Sequence, residues 1–281
     1  MLLIRIYSPR ALTAEVTSVL EDEPTVSSLA VLEGASVRPE GDVVLADVPR
    51  EKANDIVDRL RATGVHEQGA IQIQPVNTWI SRRGFEAERA APGAGPDSIV
   101  WAEVTQRAYD ESRLTFAFLT FMTFATLIAS IGIVLDSQIL IIGAMILGPE
   151  FGAVAALGIA LLRRRFGLLR HAVWSLAAGF AFAILVTAAI ALVGRGLGWI
   201  EVADLTLRPG TSFVYQPDRW SFVVALIAGS AGVLAMTSAK AGGLTGVFVS
   251  VTTIPAAGNI ALGIAFGVWH EVRGSAVQLV V

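Results

Sequence analysis

The N-terminal quarter of the chain alternates. Leu2, Ile4 and Ile6 exchange places with Leu3, Arg5 and Tyr7, the period of a half-buried strand. Ser8-Pro9 then predicts an N-cap with proline at the first helical position. Leu12, Val16, Val19 and Leu20 supply the apolar stripe of a helix reaching about Glu21. Val26 to Val37 reads as a second strand, Pro39-Glu40-Gly41-Asp42 as a turn, and Val43 to Val48 as a third strand. Pro49 opens a second helix in which Ala53, Ile56, Val57 and Leu60 share a face, and Gly64 stops it. Ile71, Ile73 and Pro75 mark a fourth strand. The order is βαββαβ, that of an α+β ferredoxin-like domain over residues 1–80. Such a sheet serves ligand sensing, subunit assembly or plain support, so it names no activity. His66 stands alone there, and no glycine loop is shaped for phosphate.

Residues 81–113 follow as a linker and a helix. Arg82, Arg83 and Arg89 flank Ala91-Pro92-Gly93-Ala94-Gly95-Pro96, a composition that does not sustain an element. From Ser98 the pattern turns helical, with Trp101, Val104 and Ala108 on one face and Glu103, Gln106, Arg107 and Asp110 opposite. Two readings stand: a helix lying on a membrane surface or under a bundle, and a solvated connector.

Beyond residue 113 the polar positions almost vanish. Residues 114–162 hold only two charged side chains, Asp136 and Glu150. A span needs about 20 apolar residues, and Thr115–Leu135, Ala172–Val193 and Trp220–Ala239 each qualify. Ser137–Leu162 and Gly242–Val268 are apolar but interrupted, the first at Gly148-Pro149-Glu150 and the second around Thr252-Thr253-Ile254-Pro255, with Gly258 and Asn259 just after. A last run, Ser275 to Val281, is too short to cross a bilayer and reads as the start of a sixth helix. The expected architecture for residues 114–281 is a membrane α-helical bundle: five full spans plus the start of a sixth, the second and fifth broken at proline.

Composition agrees. The chain of 281 residues is 54% hydrophobic and 16% charged, with mean hydropathy +0.63, where soluble domains carry about 25% charged residues. The formal net charge of −3 argues against a nucleic-acid partner. The absence of cysteine excludes disulfides and thiolate chemistry, and no cofactor or metal is expected. Met1 to Ser8 does not read as a signal peptide. Lys52 and Lys240 are the only lysines among many arginines, a coding bias of the kind found in GC-rich bacteria. Arginines set orientation. With the N-terminal domain cytoplasmic, Arg82, Arg83, Arg107, Arg113, Arg163, Arg164, Arg165 and Arg170 lie inside, and only Arg195, Arg208, Arg219 and Arg273 outside. The expected location is the bacterial inner (plasma) membrane.

The two halves of the bundle echo each other. Ala129-Ser130-Ile131-Gly132-Ile133-Val134-Leu135 corresponds to Gly229-Ser230-Ala231-Gly232-Val233-Leu234-Ala235. Pro149 and Pro255 interrupt the following spans, each with a glycine three residues on (Gly152, Gly258). Ala156-Leu157-Gly158-Ile159-Ala160 then recurs as Ala261-Leu262-Gly263-Ile264-Ala265. Three spans separate the copies, so an inverted 3+3 repeat is expected. Proline frees a backbone carbonyl, which must face protein, water or solute. A carboxylate at mid-membrane depth is a functional candidate by default. The candidate solute- or ion-binding group is therefore Glu150, Pro149, Gly148, Thr252, Thr253, Pro255 and Asn259, with Asn259, Thr252 and Thr253 as partners for the carboxylate. A satisfied kink, or a re-entrant segment leaving Glu150 near water, is the alternative. Asp136, at a span end before Ser137, is expected to cap the next helix. The glycines are expected to be packing surfaces.

The stretch Ala129-Ser130-Ile131-Gly132 through Leu135-Asp136-Ser137, then Ile142-Gly143-Ala144-Met145 and Gly148-Pro149, resembles the prokaryotic membrane family catalogued as domain of unknown function 389. Gly246-Val247-Phe248-Val249-Ser250-Val251-Thr252-Thr253-Ile254-Pro255 resembles its second signature. The resemblance covers roughly residues 115–281. It implies a multispan membrane protein with an N-terminal cytoplasmic domain and a further helix after Gly274, and it implies no substrate. Relatives commonly carry proline or leucine where this chain has Glu150-Phe151, and Pro-Leu where it has Ala256-Ala257, so a role for Glu150 belongs to a subgroup.

Two functions follow. One is a transporter or channel for a small solute or ion, in a homo-oligomer embedded in lipid. The other is a membrane sensor or scaffold whose N-terminal domain binds a ligand or partner while nothing crosses. An enzyme is not expected, because His66, His171 and His270 lie far apart in the reading and no nucleophile–base pair can be built.

Overall fold

The structure, a computed structural model, describes residues 1–93, 95–202, 205, 208–215, 219–237 and 246–280. It divides into two compact units, one built on Met1–Val104 and one from Thr105 onward.

The first unit carries β1 (Leu2–Ser8), α1 (Arg10–Glu21), β2 (Ser28–Val37), β3 (Glu40–Val48), α2 (Ala53–Ala62), the one-turn α3 (Val65–Gln68) and β4 (Ala70–Pro75). The sheet order is β2-β3-β1-β4 and every pair is antiparallel. The expected βαββαβ order is therefore present. Leu2, Ile4 and Ile6 of β1 and Val44, Ala46 and Val48 of β3 form one buried face. It closes against Val16 and Leu20 of α1 and Ile56, Val57 and Leu60 of α2. Each leucine, isoleucine and valine among them contributes about 1.5–3 kcal/mol on burial.

Three local expectations shift. Pro9 is the N-cap of α1 and not its first residue. Pro49 opens a 3-10 turn before α2 begins at Ala53. β3 starts at Glu40, so Glu40-Gly41-Asp42 are strand and not turn. Asp42 explains the last of these. Its Oδ1 accepts from the Gly34 amide at 2.8 Å and its Oδ2 from Thr13 Oγ1 at 2.7 Å, fixing the hairpin to α1. Those two donors hold its carboxyl below the usual range. Gly34 takes φ +64 at the bulge in β2, a conformation that favours glycine.

The unit continues past residue 80. The expected linker contains α4 (Arg82–Ala90), capped by Ser81 Oγ accepting from the Gly84 amide. Asn54 donates to the Ile99 carbonyl and accepts from the Trp101 amide, and Val100 is buried in the sheet's core. Helix α5 (Trp101–Glu111) follows, with Val104 and Ala108 buried as the periodicity predicted.

The second unit is helical: α6 (Phe116–Val134), α7 (Gln138–Leu147), α8 (Glu150–Leu162), α9 (Phe166–Gly196), α10 (Arg219–Thr237), α11 (Gly246–Phe266) and α12 (Trp269–Val280). Among the described residues α6 and α9 are each long and apolar enough to cross a membrane. The pair α7–α8, bent by 60°, makes a third span if counted as one. Arg219–Ala235 and Thr253–Phe266 are apolar but shorter. Thr115 and Ser137 cap α6 and α7 through their hydroxyls. The break expected at Gly148-Pro149-Glu150 is present. The matching break at Thr252 to Pro255 is not: α11 runs through Pro255. A proline removes one donor and crowds one carbonyl, and here the surrounding helix bonds carry the chain past it. The side chains of residues 246–252, Thr252 included, lie outside the described set.

Candidate functional site

The geometry around Glu150 begins with the 60° bend. Leu147 ends α7, Gly148 is extended (φ −64, ψ 126), and Pro149 is the N-cap of α8. Glu150 is the first helical residue, where a carboxylate meets the positive end of the helix dipole. α7 has ten residues, which places the break roughly 15 Å along the bundle from Asp136. The side chain is fully buried. Its Oε1 accepts from Thr253 Oγ1 of α11 at 3.0 Å.

Gly148 has a steric reason to be glycine. A Cβ there would stand 2.4 Å from Glu150 Oε2 and 2.9 Å from Ile254 Cγ1. The carboxylate thus folds back over the residue before the proline. Gly258 plays a related part on α11, where a Cβ would meet Ser130 Oγ at 3.0 Å. Ser130 donates to the Gly258 carbonyl at 3.2 Å, so α6 and α11 cross at close range.

Of the sequence-predicted residues, the structure brings Gly148, Pro149, Glu150 and Thr253 together, with Pro255 two residues beyond Thr253 on α11. It does not bring Asn259 to Glu150. Asn259 is buried and occupied elsewhere: its Nδ2 donates to Ser275 Oγ at 2.8 Å, and its Oδ1 accepts from Arg208 Nη2 at 2.7 Å.

Arg208 is the centre of a second polar cluster. It is 3% exposed, and Glu271, its ion-pair partner through Nη2, is 2% exposed. Its Nε donates to the Leu205 carbonyl, and its guanidinium lies 5.1 Å from the Tyr215 ring. Burial pulls the Arg208 pKa down, and Glu271 opposes that. Arg208 and Glu271 read in the sequence as loop charges. Asp136 is nearby, and its role differs from the expected cap. It has φ 47, Ser137 takes the cap, and the Asp136 carboxylate accepts from the Gly210 amide at 3.1 Å and Thr211 Oγ1 at 2.9 Å. It clasps the 209–211 loop.

Glu111 was also missed. A Cβ at Gly152, in the first turn of α8, would meet Glu111 Cβ at 2.5 Å and Oε2 at 2.7 Å. Two carboxylates therefore attend the start of α8. Glu111 is exposed as a residue, yet partial desolvation of its carboxyl against α8 raises its pKa, with Arg107 opposing it. A raised carboxyl pKa means the folded state binds its proton more tightly than the unfolded one. Its contribution to stability is full below pH 4.5 and is lost as pH rises through the folded value. Apparent melting temperature in detergent is expected to fall across that window for the wild type. In Glu111→Gln this part of the slope should vanish; an unchanged slope would place the carboxyl in water.

The comparisons with known proteins bear on this half of the chain. Residues 145–281 match the family described as "Domain of unknown function (DUF389)". The family is the one the signatures resemble. A curated relative, "Uncharacterized protein MJ0678" of Methanocaldococcus jannaschii, is 25% identical over 160 residues, 57% of this chain and 48% of its own. The chain thus spans about half the length of the curated relative it matches. No solved structure matches. The DUF389 match covers Glu150, Thr253, Arg208 and Glu271 alike and assigns none of them a role.

Proposed function

We propose that this DUF389 chain forms a transporter or channel for a small solute or ion, and that the solute meets Glu150 and Thr253 at the α7–α8 break. One observation carries the reading. A carboxylate is buried inside an apolar bundle, at a helix break, held by a hydroxyl from another helix. A mid-bundle carboxylate is costly and is retained where it handles charge. A packed scaffold has no use for it there.

The architecture belongs to the same proposal: five spans followed by the helix α12, with α6, α7–α8 and α9 as an inverted counterpart of α10, α11 and α12. Pro149 and Pro255 occupy matching positions and support that pairing, although only the first breaks its helix. We place the bundle in the bacterial inner membrane with the N-terminal unit cytoplasmic, on the arginine asymmetry, and assign no catalysis. Homo-oligomer assembly draws support from α10. Trp220, Phe222, Leu226, Ile227 and Leu234 are exposed there, and a groove of about 360 Å³ runs between α8 and α10 beside Gly158, Gly229 and Gly232.

The test is uptake into proteoliposomes across a panel of inorganic ions and small metabolites, wild type against Glu150→Gln. Flux by the wild type that falls at least tenfold in Glu150→Gln is expected. Wild-type flux that the substitution leaves intact would remove Glu150 from the path. No flux with any compound would favour a sensor or scaffold.

A further inference from the structure

The inward face of α12 is polar. Glu271, Ser275 and Gln278 recur at i, i+4 and i+7, one line along a helix, and all three are buried. At one end Glu271 holds Arg208, whose Nη1 is buried without a hydrogen-bond partner among the described residues. In the middle Ser275 accepts from Asn259 and donates to the Val214 carbonyl. At the other end Gln278 Oε1 is buried and has no hydrogen-bond partner among the described residues. Seven residues separate the two ends, roughly 10 Å. The next residue, Leu279, packs on the cluster that contains Ile254. Ile254 adjoins Thr253 and also reaches Gly148. The stripe therefore leads from the ion pair, at the loop end of the bundle, to the level of Glu150.

Polar side chains of a helix in a membrane bundle face inward and hydrogen-bond across helices, and buried polar atoms are normally paired. α12 presents carboxylate, hydroxyl and amide to the interior, and the Gln278 amide oxygen is left open among the described residues, which packing alone does not require. Hydroxyl and amide groups in a row can replace the water shell of a small ion or polar solute in steps.

We propose that the Glu271–Ser275–Gln278 stripe lines the route between the loop end of the bundle and Glu150, and that the Arg208–Glu271 pair closes its mouth. The route rests on the reading of Glu150 as the solute site. The ligand is a small ion or hydrophilic solute that neutral oxygens can solvate. Arg208 bridges three segments: its own loop, α11 through Asn259, and α12 through Glu271. Releasing the ion pair removes the charged tie between the loop and α12 and leaves hydrogen bonds to neutral partners, Arg208 to Asn259 and Ser275 to the Val214 carbonyl, holding the loop to the two helices.

The natural absence of cysteine makes the test direct. Single cysteines at Ser275 and Gln278 are introduced into reconstituted protein and exposed to a small membrane-impermeant thiol reagent on both faces. With Arg208 and Glu271 intact, both should react slowly. Adding Glu271→Gln should raise both labelling rates at least tenfold, in protein that still elutes as a single species. The charge exchange Arg208→Glu/Glu271→Arg should return them to the slow rate. Fast labelling with the native pair, no acceleration in Glu271→Gln, or equal rates in Glu271→Gln and the exchange would each overturn the gate. Labelling does not depend on which solute moves. A stripe that opens as expected while Glu150→Gln leaves flux intact would sink the Glu150 reading and keep only the gated entry at the loop end.

Discussion

Replacing Arg208 with methionine is expected to destabilise the bundle by about 3–5 kcal/mol, the cost of stranding one member of a buried ion pair. Three losses act together. Glu271 keeps a charge in a site where it is 2% exposed, now without a cation. Asn259 Oδ1 loses its donor at 2.7 Å, and the Leu205 carbonyl loses Nε. Methionine fills most of the volume, so lost packing on Tyr215 is the smaller part. The pair itself is worth much less than its rupture. Arg208→Met combined with Glu271→Leu removes both charges and should recover most of the loss, leaving about 1–2 kcal/mol for the unpaired Asn259 oxygen. The measurement is an unfolding midpoint in mixed micelles for wild type, both singles and the double. A single that unfolds like the wild type would mean that water reaches the pair. A double no better than the single would mean that shape, and not charge, holds the loop.

This contrast marks where sequence was readable and where it was not. Alternation in β1 and β3 and the stripe in α2 report burial directly, because each buried residue sits one period from the next. β2 was legible as a strand but not as an edge: Val31, Leu32 and Val37 are apolar yet exposed, and pairing partners are a tertiary fact. Glu150 stood out because residues 114–162 hold so little charge, and its partner Thr253 was among those named. Asn259 was named for the same pairing and bonds elsewhere. Its neighbours on α11 cannot report which side of the helix faces α12. Arg208 and Glu271 lie in stretches polar enough to read as loops, and local polarity carries no sign of a loop that folds inward. One signal was available. Glu271, Ser275 and Gln278 share a helical face, and a polar line in a chain this apolar is a reason to look inward. Asp136 shows the converse: its position promised a cap, but its positive φ turns the side chain toward residues 210–211, and Ser137 does the capping.

Gly148→Ala is expected to act on Glu150 without touching its charge. The extended backbone at Gly148 suits any residue, so alanine meets no conformational penalty there. The obstacle is contact, at 2.4 Å with Glu150 Oε2 and 2.9 Å with Ile254 Cγ1. Neither neighbour has room. The carboxylate is tethered to Thr253 through Oε1, and Ile254 is fully buried in the α6–α11 core. Overpacking of this kind costs about 1–3 kcal/mol, and the easiest relief is to swing the carboxylate away from Thr253. Thr253→Val deletes the same hydrogen bond from the other side while keeping shape. The two should therefore fail to add. With the bond already lost in Thr253→Val, introducing alanine at 148 should cost at least 1 kcal/mol less than in the wild type, a coupling of the size seen for residues in direct contact. The same cycle read as flux should show each single impaired and the double no worse than the poorer single. Independent, additive effects would mean that the Gly148 contact and the Thr253 hydrogen bond serve different purposes, and that the helix break holds Glu150 by packing alone.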